Sequence, residues 1–300
     1  MNDQKKIIPD SLTTGDTIGI VAPAGSADMD RFGKGIEVLK DMGFQVVVPD
    51  DLFSPESYLA APDYQRADIF NQMIADRAIK ALICARGGFG TLRILSLVDF
   101  NSIRAHPKIV VGFSDITALI VNIYLKSGVV TYHGPVVTTL ADAPMQTIDV
   151  LKGALTSGQS YQADFDQLAS IQAGQAEGPL IGGNLATLCH LTGTPFMPDY
   201  DGHILFLEDI DEPLYKIDRM LTQMELTGSF NHVNGVVLGA FENCGDIELI
   251  YKLFHEKFHK HEIPVVGGLE IGHSHANVTI PIGAFAVVDA DRGILMINPS

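Results

Sequence analysis

VVGFSDIT, residues Val110–Thr117, joins a strand to a helix, and the rest of the chain can be read outward from it. Ile109, Val110 and Val111 form a short β-branched run of the kind found in buried strands. The stretch DITALIVNIYLKSG that follows reads as a helix stopped by Gly128. Gly112-Phe113-Ser114 must therefore turn the chain sharply. Such a turn can act as a nucleophile elbow, lifting a serine hydroxyl clear of the sheet beside a helix N-terminus. Ile116 stands where a G-x-S-x-G motif has its second glycine, and the same residues also suit a plain N-capped helix start.

Around this junction the first half alternates regularly. Strands are expected at Thr17–Ala22, Gln45–Pro49, Ala81–Ala85, Ile109–Phe113 and Val129–Tyr132. Helices are expected at Asp30–Met42, Tyr64–Arg77, Thr91–Leu97 and Asp115–Lys126. This order predicts an α/β fold with a parallel sheet covered on both faces, and such sheets bind ligands beyond the carboxyl ends of their strands. Three of those ends carry suggestive residues: Ala22–Ser26, Arg86–Gly90 and the Ser114 turn.

The polar segment 141–177, with one helix at Met145–Leu155, reads as a linker between an N-terminal domain (1–140) and a C-terminal domain (178–300). The latter is expected to be mixed α+β with a small curved sheet or barrel. Its predicted elements include the strand His203–Leu207, the helices Pro213–Leu226 and Ile247–His259, and short closing strands.

Composition excludes several classes. With 46% apolar and 19% charged residues in 300, the chain is a globular protein with a sizeable core. No apolar stretch reaches spanning length and no signal-peptide core is visible. Three scattered cysteines suit a reducing compartment, so a cytoplasmic location is expected. A formal charge of −16 argues against nucleic acid or anionic membrane as partner.

A serine nucleophile needs a base, and that base needs an orienting group. His133 ends the fifth strand, and His273 and His275 sit in a Gly-bounded turn, so all three are candidates. Glu208 leaves the strand Ile204–Leu207 as the candidate acid, whereas Asp209, Asp211 and Glu212 suit the N-terminus of the next helix. The glycines of Arg86–Gly90 could present oxyanion-hole amides, joined by that of Asp115. A phosphate cradle there would lack a Walker lysine. His255-Glu256-Lys257-Phe258-His259 matches H-E-x-x-H, but its histidines face away from the stripe Ile247, Ile250, Phe254 and Phe258. No metal and no other cofactor is expected.

Seven motifs in order resemble the LD-carboxypeptidase family of serine peptidases, which includes muropeptide LD-carboxypeptidases and microcin C self-immunity peptidases. They are GDTIGIVAPAG (Gly15–Gly25), ARGGFGTLRIL (Ala85–Leu95), VVGFSDITAL and TYHGPV (Thr131–Val136), followed by GPLIGGNLATL (Gly178–Leu188), LEDIDEPLYKIDRML (Leu207–Leu221) and GLEIGHSHANVTIPIG (Gly268–Gly283). The resemblance implies an N-terminal domain like class I glutamine amidotransferases and a smaller barrel-like C-terminal domain. It places the nucleophile on Ser114, the acid on Glu208 and the base on His273 in preference to His275, with oxyanion donors at Gly88 and Asp115. The implied reaction is release of terminal D-alanine from a murein tetrapeptide in cell-wall recycling. Asn184, Tyr215 and Arg219 are candidate substrate contacts. The absence of tryptophan favours the muropeptide branch over the microcin type, whose members stack aromatics on a nucleotide-like ligand. The expected partner is a small peptide, with a homodimer left open; a non-catalytic peptide-binding protein is the reading from another class.

Overall fold

The computed structural model describes residues 6–158 and 163–298. Its first sheet is built from β1 (Thr17–Val21), β2 (Gln45–Val47), β3 (Ile79–Cys84), β4 (Ile109–Gly112) and β5 (Thr131–His133). All the pairings among these five are parallel. Nearly every side chain of β1, β3, β4 and β5 is buried, because crossover helices cover both faces. The helices Met29–Asp41, Asp63–Ala75 and Thr117–Ser127 lie within a few residues of their expected spans. Gly128, at φ +75°, ends the last of them as its sequence suggests.

The segment expected to be a linker carries structure of its own. Helix Met145–Ser157 is followed by β6 (Ala163–Phe165) and β7 (Ala169–Gln172). These are the two edges of an eight-stranded sheet that also holds β8 (Gln175–Asn184), β9 (Ile204–Ile210), β10 (Gly235–Glu242) and β11 (Val265–Gly267). In β6 and β7 every side chain but that of Ala163 is exposed or half-exposed, which is why a polar sequence can form them.

The chain next returns to the first sheet. β12 (Ile280–Ile282) pairs antiparallel with β5, Ile280 opposite His133, and becomes its sixth strand. Pro281 within so short a run hides the strand from sequence reading, but an edge position tolerates it. Finally β13 (Phe285–Asp289) and β14 (Ile294–Asn298) complete the second sheet, in the order β6-β14-β13-β8-β9-β10-β11-β7. This sheet curls into a half-barrel. β8 joins its two parts, running antiparallel to β13 at Gln175–Pro179 and parallel to β9 at Leu180–Asn184. Among the described residues, no helix is long and apolar enough to cross a membrane.

Candidate active site

Ser114 stands at the carboxyl end of β4 with φ +63°, a left-handed backbone that serine adopts only under constraint. Phe113 before it is extended, and a single 3-10 turn, Ser114–Ile116, leads into helix Thr117–Ser127. No side chain caps either of these helical segments. The plain helix-capping alternative for Ser114-Asp115 is therefore not what the side chains do. Asp115 instead accepts the backbone N–H of Thr91 at 2.8 Å, starting the helix that follows Gly90. Burial pushes its carboxyl above the usual range, against the pull of that hydrogen bond.

The Arg86–Gly90 turn lies directly against the serine. A Cβ on Gly87 would come within 2.9 Å of Ser114 Cβ, so only glycine permits this approach. The loop is held from beneath by Arg66, a residue that no sequence motif singles out. This buried guanidinium donates to the carbonyls of Gly90 (3.0 Å), Ala61 (2.9 Å) and Pro23, and pairs with Asp63. It ties the loops after β1 and β3 together.

Glu208 is fully buried in β9, which runs on to Ile210. One of its oxygens, Oε2, accepts His273 Nδ1 at 2.7 Å and the His273 backbone N–H at 3.1 Å. Gly272, at φ +90°, makes this possible, since a Cβ there would overlap the Glu208 carboxylate. Because a carboxylate only accepts, His273 carries its proton on Nδ1, and Nε2 is left to accept another. Burial lowers the basicity of His273, but the Glu208 bond and charge, with Asp209 and Asp211 nearby, outweigh it and hold its pKa above the usual 6.5. The His273 ring packs on Phe113, with centroids 4.8 Å apart, beside the residue that precedes Ser114. Ser114 Oγ has no hydrogen-bond partner among the described residues; such bonds are often long until substrate is bound.

The other histidines are placed differently. His275 is exposed. His133 is fully buried between Phe113 and Phe206, with neither ring nitrogen hydrogen-bonded among the described residues. Burial lowers its pKa to about 4, so it stays neutral near pH 7. His255 on the helix Ile247–Phe258 and His259 just past its end are exposed, and the helix buries Ile250, Phe254 and Phe258.

The acids that follow Glu208 are placed differently from their reading as caps of the next helix. Asp209 is not at the next helix but buried in the strand, where it accepts from Asn184 Nδ2 (2.8 Å), Ala186 N (2.9 Å) and Ile210 N (2.9 Å). Burial and the Glu208 charge nonetheless push its pKa up to about 6. Asp211 accepts from Asn243, while Glu212 pairs with Lys216, and neither caps helix Leu214–Leu226. Asn184 has its side chain committed to Asp209 and to Thr187. Tyr215 and Arg219 are exposed on helix Leu214–Leu226, the guanidinium 5.4 Å from the ring centroid. Gly88, at φ +103°, lies in the loop against Ser114. An exposed aromatic pair, Tyr58 with Phe89 at 5.9 Å, flanks that loop; the two residues are too far apart in sequence to announce themselves.

Comparison with known proteins agrees with this architecture. Residues 18–134 match the model of the LD-carboxypeptidase N-terminal domain, and residues 177–288 that of the C-terminal domain. A probable murein peptide carboxypeptidase of Bacillus subtilis is 38% identical over 290 residues, covering 94% of this chain and 91% of that protein. The microcin C7 self-immunity protein MccF of Escherichia coli is 29% identical, covering 94% and 92%. The crystal structure of muramoyltetrapeptide carboxypeptidase from Oxalobacter formigenes superposes with a TM-score of 0.84 at 32% identity, covering 94% of this chain and 98% of that one.

Proposed function

The chain belongs to the LD-carboxypeptidase family and is a serine carboxypeptidase; from that premise we propose that it releases terminal D-alanine from murein tetrapeptide. The scissile bond joins the L-centre of meso-diaminopimelate to that D-alanine. The observation that carries the proposal is the Glu208–His273 pair, bonded at 2.7 Å and packed on Phe113 beside the strained Ser114 turn. The substrate class is supported by the names of the relatives in Bacillus subtilis and Oxalobacter formigenes.

In the proposed mechanism His273 Nε2 takes the proton of Ser114 as Oγ attacks the scissile carbonyl. Glu208 holds the Nδ1–H tautomer and balances the imidazolium that forms. The amides of Gly88 and Asp115 receive the oxyanion. The C–N bond then breaks, and His273 gives its proton to the departing amine of D-alanine. Water, deprotonated by the same imidazole, releases the acyl group from Ser114. A purely binding role would require neither the strained serine nor an oriented base.

Incubation with murein tetrapeptide should liberate free D-alanine and leave the tripeptide. Intact tetrapeptide after prolonged incubation would end this assignment. A microcin-type immunity hydrolase is the second reading, and the exposed Tyr58–Phe89 pair favours it, because two rings beside the loop could hold a flat base. Cleavage of an aminoacyl sulfamoyl nucleoside in preference to the tetrapeptide would select it.

A further inference from the structure

We propose that Arg86 receives the terminal carboxylate of the amino acid that leaves. The inference rests on the carboxypeptidase reading of the site. A carboxypeptidase must distinguish a free chain end from an internal peptide, and the difference is one negative charge. In the leaving residue the carboxylate carbon lies only about 2.5 Å from the scissile nitrogen. The cation that reads it must therefore sit beside the serine and must not already be neutralised.

Few cations qualify in a chain with 20 basic and 36 acidic residues. Around the carboxyl ends of the strands, Arg66 and Arg93 both pair with Asp63, Arg31 pairs with Asp142, and Lys216 pairs with Glu212. Arg86 and Arg219 have no carboxylate partner among the described residues. Arg219 lies in the second turn of its helix, over the Tyr215 ring. Arg86 immediately precedes Gly87, the residue whose Cβ position is 2.9 Å from Ser114 Cβ.

The Arg86 guanidinium is also held in place. Its Nη1 donates to the Ser26 carbonyl. The Ser26 loop is fixed in turn by Ser26 N to Tyr58 O and Gly25 N to Gly87 O, both 3.1 Å. One hydrogen bond leaves the remaining donors of the fork for a bidentate carboxylate. The side chain is exposed, so the charge has water to lose only when substrate arrives. A longer peptide would place a neutral amide at this point and leave the guanidinium unpaired.

The test uses two murein tetrapeptides, one ending in D-alanine and one in D-alaninamide, with the full-length protein. Wild type is expected to favour the acid by about a hundredfold in kcat/KM. In Arg86→Gln the acid should lose about that factor, mainly through KM, while the amide is turned over at nearly the wild-type rate. Arg86→Lys should keep part of the preference, since the charge remains without the fork. Equal loss on both peptides would mean a structural role and overturn the proposal. So would an unchanged preference in Arg86→Gln, or its disappearance in Arg219→Gln instead. Calorimetry on Ser114→Ala, with and without Arg86→Gln, reads the same preference without turnover. Selective acid binding that vanishes with Arg86 would support the carboxylate site even if wild type released no D-alanine. Release of D-alanine without any acid preference in binding would overturn Arg86 and spare the enzyme assignment.

Discussion

At the residue scale the site depends on how one imidazole is held. In the mechanism proposed, Ser114→Ala should reduce turnover by more than about a thousandfold while leaving the fold unchanged, because only the attacking oxygen is lost. Retention of more than about a tenth of the rate would exclude Ser114 as nucleophile. The base must be neutral to accept a proton, and Glu208 holds the pKa of His273 above 6.5. Activity should therefore rise with pH through that raised value, giving kcat/KM an acid limb above pH 6.5. Glu208→Gln removes the charge that raises it, so the limb should move to lower pH while kcat falls by about a hundredfold or more. A limb that stays in place would show that some other group titrates. The exposed His275 should be replaceable by alanine at little cost.

At the element scale the loops after β1, β3 and β4 meet at one place. Ser114 takes its strained backbone there because Gly87 lies against it, and that loop hangs from Arg66. Arg66 carries its charge inside the protein because three carbonyls and Asp63 satisfy it. Arg66→Met keeps much of the volume but strands those carbonyls. It should cost about 3 kcal/mol or more of stability and lower kcat with it. Denaturant unfolding together with kinetics would check this; a variant as stable and active as wild type would show that the loops hold themselves. Nothing in the spacing of Arg66 announces this role. It lies on the helix Asp63–Ala75, whose sequence reads as an ordinary crossover, and its partners come from three other segments.

At the scale of the whole molecule, two halves must dock before the imidazole can meet the serine. Several contacts fix that docking, three of them away from the catalytic imidazole. β12 adds to the first sheet, Asn184 N donates to Thr117 Oγ1 at 3.1 Å, and His133 packs between Phe113 of one sheet and Phe206 of the other. His133 makes the junction sensitive to acid. Its folded pKa, about 4, lies below the ordinary 6.5, so between these values the unfolded chain binds a proton that the native protein refuses. Its contribution is thus fully present above pH 6.5 and is lost as pH falls, by up to about 3 kcal/mol near pH 4. His133→Phe keeps a ring in the seam and should be less acid-sensitive, with a stability difference between pH 7 and pH 5 about 2 kcal/mol smaller than that of wild type. Equal pH dependence in urea unfolding would place the acid sensitivity elsewhere.

The sequence alone determined whatever depends on local pattern. The alternation of apolar runs with amphipathic stretches specified the parallel sheet, and the turn residues located Ser114 and the Gly272 loop at element ends; Glu208, expected where its strand ends, lies inside a strand that runs on to Ile210. Spacing left His133, His273 and His275 open, and resemblance pointed to His273. The hydrogen bonds to Glu208 and the contact with Phe113 belong to the fold alone, because they join residues 65 and more apart in the chain. Tertiary structure likewise decided the return of Ile280–Ile282 to the first sheet, the edge strands within 163–172, the burial of Asp209 and the office of Arg66. Each of these follows from what covers or neighbours a residue, and burial by a distant segment leaves no periodic trace in the residues it covers.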